Sequence, residues 1–272
     1  MPEVPEIASR AREHNAALPG KRINGVEILQ PKCLNVPVEV FSTGLIGALV
    51  ESAGYHGKWI QVHTNQGWLL INMGMGGDIL LVTPATLPAK HTIFIQFSDD
   101  TCLSLSFWWF GHVHYVPEGS LASHAPTAKL GPNVLDLSLE DFRRLAAGQG
   151  TSVKTFLLDQ SRVAGIGNAY AHDILFLARI HPLRKMDSLT SDEIDALYQG
   201  IQDGLRPSLE VNGAFYEKDI YGRPGGFAME RILIGYRENA PCPECGTPIV
   251  KIKTGSTSSF ICPTHQPFEV VA

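Results

Sequence analysis

Four candidate metal ligands near the C-terminus place the strictest limit on what this chain can fold into. They follow the pattern Cys242-x2-Cys245-x16-Cys262-x2-His265, with hairpin-like segments between the two pairs. Ligand pairs that are two residues apart and separated by a β-hairpin suit a tetrahedral, closed zinc site of the Cys3His type. Because four protein ligands leave no open position on the metal, this zinc ion is expected to be structural and not to activate water.

The overall composition permits two domains and lacks the basic excess that is usual in nucleic-acid binders. The chain has 272 residues, and its 22 Lys and Arg against 27 Asp and Glu give a net charge of −5. A DNA-binding role would therefore require the basic groups to be concentrated on one face. The sequence has no apolar run of about 18 residues and no basic-plus-apolar leader, and its cysteines are odd in number. We therefore expect a cytoplasmic protein without a membrane span.

The N-terminus Met1-Pro2-Glu3-Val4-Pro5-Glu6 combines a nucleophile with two carboxylic acids. Removal of Met1 exposes the secondary amine of Pro2, and an α-amino pKa of about 8 leaves much of it neutral. On a helix, Glu3 and Glu6 lie on one face beside that amine. This arrangement suits Schiff-base chemistry on a carbonyl or a masked aldehyde. The same residues also suit the first turn of any N-terminal helix, so the segment alone leaves both interpretations open.

Hydrophobic periodicity divides the chain into a β-rich part and an α-rich part. A first helix is predicted from Pro5 to about Leu18. Between Arg22 and Val116, short β-type runs alternate with turn signals, which predicts an antiparallel sandwich or barrel of roughly eight strands. After a stretch rich in Pro, Gly, Ala and Ser the period becomes helical. The predicted domains are an N-terminal β-sandwich domain at 1–120, a linker at 121–135, a helical domain at 136–230 and a zinc finger at 231–272.

Local signals refine the helical part and one strand. Ser138 predicts a helix cap, and Thr190 opens a capping box at the start of a long helix. The strand predicted from Leu103 to Val116 contains Trp108 and Trp109, and one of these tryptophans is expected to be buried, because neighbouring residues of a strand point to opposite faces.

Five landmarks occur in one order along the chain: the Pro2-Glu3 terminus, Gly57-Lys58, the glycine-flanked Met75, the turn Gly165-Ile166-Gly167-Asn168-Ala169-Tyr170 and the Cys3His pattern. Together they resemble the formamidopyrimidine-DNA glycosylase and endonuclease VIII family over nearly the whole chain. The resemblance implies an α+β fold, with an N-terminal helix and antiparallel β-sandwich domain, a helical domain with a helix–two-turn–helix element, and a C-terminal zinc-finger β-hairpin.

The resemblance also implies a function and a set of site residues. The function is base excision from duplex DNA that contains damaged bases, combined with lyase activity at abasic sites. Pro2 would attack the sugar, Glu3 would protonate the ring oxygen and Glu6 would orient both. The remaining roles implied are a phosphate contact for Lys58, insertion into the base stack for Met75, DNA contacts for Trp108 and Phe110, and phosphate contacts for Lys154 and Asn168.

Three departures from the family pattern keep alternatives open. Trp108 stands where the family has an arginine that reaches the base opposite the lesion, no arginine occurs near Thr257 at the hairpin tip, and His265 replaces a cysteine. A protein that binds damaged or abasic DNA without removing bases therefore remains an alternative, as does a zinc-ribbon adaptor for other proteins. The segment Asn212 to Gly226 is interpreted as a mobile loop without an assigned base contact. A monomer is expected.

Overall fold

The computed structural model describes residues 1–268, and the chain divides into two compact units. Unit 1 comprises Met1–Leu130 and Val211–Gly226, whereas unit 2 comprises Gly131–Glu210 and the chain from Phe227 onward. The predicted α+β class is confirmed, with antiparallel sheets in unit 1 and helices with a C-terminal hairpin in unit 2.

Unit 1 contains two four-stranded antiparallel sheets, in the orders β1-β6-β7-β5 and β2-β3-β4-β8. The strands are β1 Ile23–Ile28, β2 Val50–His56, β3 Trp59–Thr64, β4 Gly67–Asn72, β5 Asp78–Val82, β6 Ile93–Phe97, β7 Cys102–Ser106 and β8 His112–Pro117. Tight turns join β2 to β3 and β3 to β4, and in the second of these pairs Val62 lies opposite Leu69. The expected eight-stranded sandwich is therefore present.

The core of unit 1 is formed by the inward-facing side chains of both sheets. In β6, Ile93, Ile95 and Phe97 are buried while the residues between them are half-buried, as the two-residue period of a strand requires. Burying each of these side chains contributes about 1.5–3 kcal/mol. Ile7 from the first helix and Phe41 from the second pack into the same cluster.

Helix α1, Val4–Ala17, follows β-type backbone at Glu3 and begins with a proline in its first turn. Proline suits this position because the first N–H groups of a helix have no partner within it. Two shorter helices complete the part of unit 1 before residue 130, namely α2 Val38–Leu45 and α3 Ala125–Ala128. Helix α3 lies inside the predicted linker at 121–135, where His124 and Thr127 are both buried. This stretch is therefore folded onto unit 1 up to Leu130.

Unit 2 contains α4 Leu139–Ala146, α5 Val153–Leu158, α6 Asn168–Leu177, α7 Ser191–Leu209 and the hairpin strands β9 Val250–Thr254 and β10 Thr257–Ile261. Both predicted caps are present. The Ser138 hydroxyl accepts the Asp141 N–H at 3.1 Å. The Thr190 hydroxyl accepts the Glu193 N–H at 3.2 Å, while the Glu193 carboxylate accepts the Thr190 N–H at 2.9 Å.

A buried carboxylate joins α6 to the segment that leads to the metal-ligand hairpin. Asp173 accepts the backbone N–H groups of Leu233, Ile234 and Gly235 at 2.8–3.0 Å. These bonds lower its pKa, but burial is the larger effect and the pKa of Asp173 is raised. The three N–H bonds fix the chain after Phe227 against α6 within unit 2.

One segment of unit 1 comes from late in the chain. Val211–Gly226 lies within the predicted helical domain 136–230 but packs in unit 1, because its backbone is hydrogen-bonded to α1. No helix among residues 1–268 is both long enough and apolar enough to cross a membrane.

Candidate functional site

The first helical turn holds the two N-terminal carboxylates in fixed positions. Pro2 is buried, and Glu3 and Glu6 are only 4% and 2% exposed. The Glu6 carboxylate accepts the Glu3 N–H at 2.9 Å through Oε2. The Glu3 side chain accepts the backbone N–H of Glu6 in return. This reciprocal capping box fixes the backbone directly after Pro2 and places both carboxylates at the N-terminal end of α1.

Lys58 lies in the turn between β2 and β3 and faces the same carboxylates. Burial lowers the pKa of Lys58, while Glu3 and Glu6 act in the opposite direction and raise it. The Asn72 side chain donates to the Lys58 carbonyl at 3.1 Å and accepts the Gly74 N–H at 3.1 Å, so one amide positions this turn and the loop that carries Met75. The structure therefore brings Glu3, Glu6 and Lys58 together at the N-terminus.

The segment 211–226 completes this site, although the sequence analysis assigned it no contact. The Ala214 N–H donates to Glu6 Oε1 at 3.0 Å, and Arg10 donates to the Asn212 carbonyl at 2.9 Å. Gly213 between them has φ +91°, and a Cβ there would lie 2.8 Å from the Glu6 side chain. Only glycine allows the backbone to approach Glu6 this closely without strain. Segment 211–226, which we call the wall segment, is therefore hydrogen-bonded to α1 and forms one side of the N-terminal site.

Four large side chains are exposed at the tip of unit 1. Met75, Trp108, Trp109 and Phe110 are 45%, 81%, 62% and 69% exposed. The predicted strand from Leu103 to Val116 is interrupted between β7 and β8, and both tryptophans are exposed, so the expectation that one of them is buried is wrong. The interruption follows from a left-handed residue, since Phe110 has φ +56° and cannot continue a strand.

The backbone of this tip is fixed although its side chains are exposed. Met75 and Trp109 exchange two backbone hydrogen bonds, at 2.9 and 3.3 Å. Gly74, with φ +58°, contacts this pair so closely that a Cβ would lie 2.1 Å from the Trp109 carbonyl oxygen. The tip, defined by Met75, Trp108, Trp109 and Phe110, thus presents an apolar edge on an ordered backbone. Exposed apolar patches of this kind mark interaction sites.

Lys154 in α5 is a buried cation without an anionic partner. It is 3% exposed, and its ammonium group donates to the Thr254 and Thr257 hydroxyls at 2.9 and 3.0 Å and to the Ser258 carbonyl at 2.7 Å. Burial lowers its pKa to about 8. Within the described chain no carboxylate pairs with it, and it lines a surface cavity of about 420 Å³ with residues of the β9–β10 turn. Such a cation is positioned to receive an external anion.

Asn168 is the first residue of α6, at the end of a turn that a glutamine side chain holds in place. Gln160 donates to the Ile166 carbonyl at 2.8 Å and accepts the Gly165 N–H at 3.0 Å. Gly167 is the N-cap residue of α6, and no side chain caps this helix at that position. The Oδ1 atom of Asn168 is buried without a hydrogen-bond partner in the described residues. Asn168 therefore keeps an unused hydrogen-bond acceptor in the first turn of α6.

The four predicted metal ligands converge. The ligand atoms of Cys242, Cys245, Cys262 and His265 all lie within 4.8 Å of one another. The Cys245 and Cys262 sulfurs are 3.6 Å apart, close to the spacing of about 3.8 Å that a tetrahedral zinc–thiolate bond of about 2.3 Å gives. The His265 Nε2 atom is buried without a hydrogen-bond partner among residues 1–268. This donor set fits a closed, four-coordinate metal site.

Family models match the chain in three consecutive regions. The formamidopyrimidine-DNA glycosylase N-terminal domain matches residues 1–108, and the formamidopyrimidine-DNA glycosylase H2TH domain matches residues 130–218. The zinc finger found in FPG and IleRS matches residues 240–264, which includes three of the four converging ligands. The matched regions follow the order of the landmarks in the sequence.

Full-length relatives and solved structures agree with these matches. The formamidopyrimidine-DNA glycosylase of Pelotomaculum thermopropionicum is 34% identical over 98% of this chain and 99% of its own length. That of Legionella pneumophila (strain Philadelphia 1) is 33% identical over 98% and 99%. The Lactococcus lactis FPG (MutM) in complex with a FAPY-dG containing DNA superimposes with a TM-score of 0.88 at 25% identity, over 98% of this chain and 100% of that one. The chain belongs to the formamidopyrimidine-DNA glycosylase family.

Proposed function

We propose that this protein removes oxidised or ring-opened bases from duplex DNA and then cleaves the resulting abasic site as a lyase. The observation that carries the proposal is the capping box of α1, in which Glu3 and Glu6 hold each other directly after Pro2 and next to Lys58. A secondary amine that is held beside carboxylates has both the nucleophile and the acid that Schiff-base chemistry needs. Membership of a DNA glycosylase family supports the substrate class.

The reaction proposed begins with extrusion of the damaged nucleotide, because its anomeric carbon is out of reach inside the base stack. After removal of Met1, the Pro2 amine attacks this carbon and displaces the base. Glu3 protonates the sugar ring oxygen, so the opened sugar becomes a Schiff base with Pro2, and elimination then cuts the strand. Glu6 acts as a positioning residue, since both of its oxygens accept backbone N–H groups. Lys58 binds the neighbouring phosphate. Because these groups are held in fixed positions, the substrate is oriented for attack and the reaction is faster.

The exposed tip would occupy the space that the extruded nucleotide leaves. Met75 and Phe110 supply apolar side chains on a fixed backbone, so little entropy is lost when they insert. Trp108 offers a planar indole that stacks on a base, which is worth about 1–3 kcal/mol, but it lacks the hydrogen-bonding fork of an arginine. We therefore propose that this protein discriminates little between the bases opposite the lesion.

Unit 2 would supply phosphate contacts. The Lys154 ammonium, which has no anionic partner within the described chain, and the side-chain amide of Asn168 would contact the DNA backbone, which is the main source of affinity in such complexes. At the hairpin tip, where no arginine is present, Lys154 and the Thr254 and Thr257 hydroxyls would bind a phosphate instead. These local cations are compatible with a net charge of −5, because binding requires a basic face and not a basic protein.

We propose that Cys242, Cys245, Cys262 and His265 hold one structural zinc ion. Such an ion stabilises a small hairpin that has little core of its own, and it takes no part in the reaction. Elemental analysis of the purified protein tests this proposal. One zinc per chain supports it, and a Cys262→Ser variant that retains full zinc contradicts it.

A second candidate function is recognition of damaged or abasic DNA without base removal. The presence of Trp108 and Thr257 at positions where an arginine is expected favours it, because both changes remove groups that hold the lesion site. Base release and strand cleavage on matched duplexes decide between the two. Duplexes carrying 8-oxoguanine, a formamidopyrimidine, an oxidised pyrimidine or an abasic site would each be incubated with the Met1-processed protein. Binding to these duplexes without any product would establish the second function and overturn the first.

We also propose that the partner is duplex DNA, that one chain binds it as a monomer, and that the protein acts in the cytoplasm at the nucleoid. Sedimentation of the complex with a short lesion duplex tests the stoichiometry. A complex with the mass of one chain and one duplex supports a monomer. A complex with two chains on a duplex that has a single lesion contradicts the proposed monomer.

A further inference from the structure

The wall segment 211–226 contains a buried carboxyl group, Glu217, that has no role in the proposed reaction. Glu217 is 8% exposed, and its backbone is fixed on both sides, by its N–H bond to the Ala214 carbonyl at 2.9 Å and by the Gly225 N–H bond to its own carbonyl at 2.8 Å. Within residues 1–268 its side-chain oxygens make no hydrogen bond or ion pair. A buried carboxyl group that is left without partners is costly and marks a functional position.

Bonds to the rest of unit 1 fix the segment on both sides of Glu217. Ala214 is bonded to Glu6, and Ile220 donates its N–H to Glu13 at 3.1 Å and accepts the Leu81 N–H at 2.7 Å. The neighbouring Lys218 forms an ion pair with Asp78 of β5 at 2.9 Å. Glu217 is therefore held in place as firmly as a residue of a helix or strand.

The charged groups that face Glu217 come from α1, the N-terminus and β5. Burial raises the pKa of Glu217 most, followed by the Glu6 carboxylate, and Asp78 adds to the effect. The Met1 amine and Arg10 lower it, and the resulting pKa of Glu217 is about 7. Near neutral pH, therefore, much of the Glu217 population carries a proton. Two hydrogen bonds connect Glu217 to the N-terminal site, because its N–H donates to the Ala214 carbonyl and the Ala214 N–H donates to Glu6.

Glu217 is the carboxyl group of this site that has no role in the proposed reaction and whose side-chain oxygens have no hydrogen-bond partner among residues 1–268. Both Glu6 oxygens are occupied as acceptors of backbone N–H groups, and the Glu3 side chain accepts the Glu6 N–H. We infer that Glu217 is the general acid that protonates the base as it leaves the sugar. This inference rests on the proposed function, and it adds a residue to it.

The step balances without any further reagent. The Pro2 nitrogen forms a bond to the anomeric carbon while the bond from that carbon to the base nitrogen breaks. The electron pair of the broken bond remains on the base, which takes the Glu217 proton and leaves as a neutral molecule. The amine releases its proton after the attack, and the Glu217 carboxylate recovers one from solvent. A preformed abasic site has no base to protonate, so its cleavage does not need this acid.

This difference between substrates provides the test. Single-turnover rates would be measured for Glu217→Gln on a duplex with one 8-oxoguanine or one formamidopyrimidine and on the same duplex with an abasic site. A general acid contributes about 10²–10⁴-fold. We expect base release to fall by about 100-fold or more, and abasic-site cleavage to fall by less than about 3-fold. In the wild type, the rate of base release should also decline as pH rises through about 7. In Glu217→Gln, the rate should not show this decline.

Two further variants separate chemistry from folding. Glu217→Asp keeps a carboxylic acid and should recover part of the base-release rate, and Glu230→Gln changes an exposed carboxylate and should behave as the wild type on both substrates. Unchanged base release in Glu217→Gln, or an equal loss on both substrates, would overturn the inference. If the wild type fails to cleave the abasic duplex, the proposed function itself is wrong, and the inference falls with it.

Discussion

Glu6 accepts the Ala214 N–H at 3.0 Å, so that a residue of the first helical turn is bonded to a segment 208 positions later in the chain. Its other oxygen accepts the Glu3 N–H at 2.9 Å. One carboxylate thus fixes both the backbone that follows the proposed nucleophile and the wall that carries Glu217. This relationship explains how the ends of two distant segments form a single site in unit 1.

Glu6→Gln should destabilise unit 1 and slow the reaction. In glutamine, an amide nitrogen would replace one of the two oxygens that accept backbone N–H groups, so two donors would face each other. The position is 2% exposed, and a buried N–H group without an acceptor costs about 1–3 kcal/mol. Urea unfolding should show this loss, and strand cleavage at an abasic site should fall at least tenfold. The exposed Glu39→Gln in α2 is the control and should unfold as the wild type does. An unchanged unfolding midpoint for Glu6→Gln would contradict the role of this bond.

Lys154→Gln should weaken the binding of duplex DNA and reduce its dependence on salt. Removing one phosphate contact lowers the slope of log K against log salt concentration by about 0.9. Fluorescence anisotropy at several salt concentrations measures this slope. Lys129→Gln removes an exposed lysine and serves as the charge-matched control, and the slope should not change. If both variants retain the wild-type slope, Lys154 does not bind a phosphate.

Trp108→Ala should lower affinity for a lesion duplex by about 1–3 kcal/mol, because the indole is 81% exposed and free to stack on a base. The loss should be nearly equal with each of the four bases opposite the lesion, since an indole stack does not depend on a partner's hydrogen-bonding pattern. Titrations with four duplexes that differ only in the base opposite the lesion measure these affinities. Val40→Ala, which shortens an exposed apolar side chain elsewhere, is the control and should bind as the wild type does. A wild-type preference of more than about tenfold for one opposite base, lost in Trp108→Ala, would contradict this account.

His14 should make the stability of unit 1 depend on pH. It is fully buried in α1, and burial lowers its pKa to about 4. Its stabilising contribution is therefore complete above the unfolded pKa of about 6.5 and is lost as pH falls from there towards 4. Between pH 6 and pH 5 the free energy of unfolding should fall by about 1 kcal/mol from this group. His14→Gln should reduce that loss and the exposed His112→Gln should not, as urea unfolding at the two pH values would show.

Local patterns predicted the local structure of this protein well. The capping box at Thr190 and the cap at Ser138 each rest on residues three positions apart, the Cys3His pattern lies within residues 242–265, and all are present. The eight-stranded sandwich follows from alternation along single strands. The resemblance of the Pro2-Glu3 terminus to a known family added the functional hypothesis, and family membership is confirmed.

The features that sequence analysis missed depend on contacts between distant residues. No periodicity marks Glu217 as buried, because its environment comes from Glu6, Arg10 and Asp78, which lie far away in the chain. The exposure of Trp108 follows from a left-handed residue two positions later, which a strand pattern does not reveal. The local sequence around Lys154 predicts a surface residue, but in the structure the β9–β10 hairpin covers its side chain. In each of these cases tertiary packing, and not the local sequence, determines whether the side chain is buried or exposed.

The central claim is that Pro2 forms a covalent bond to the sugar, and borohydride reduction tests it most directly. The Met1-processed protein would be mixed with a duplex carrying one abasic site, reduced, digested and analysed by mass spectrometry. We expect one DNA adduct per chain, located on the N-terminal peptide at Pro2, and no adduct with a Pro2→Gly variant or with protein that retains Met1. An adduct at Lys58 or at another lysine, or no adduct despite a free Pro2 amine, would contradict the proposed mechanism.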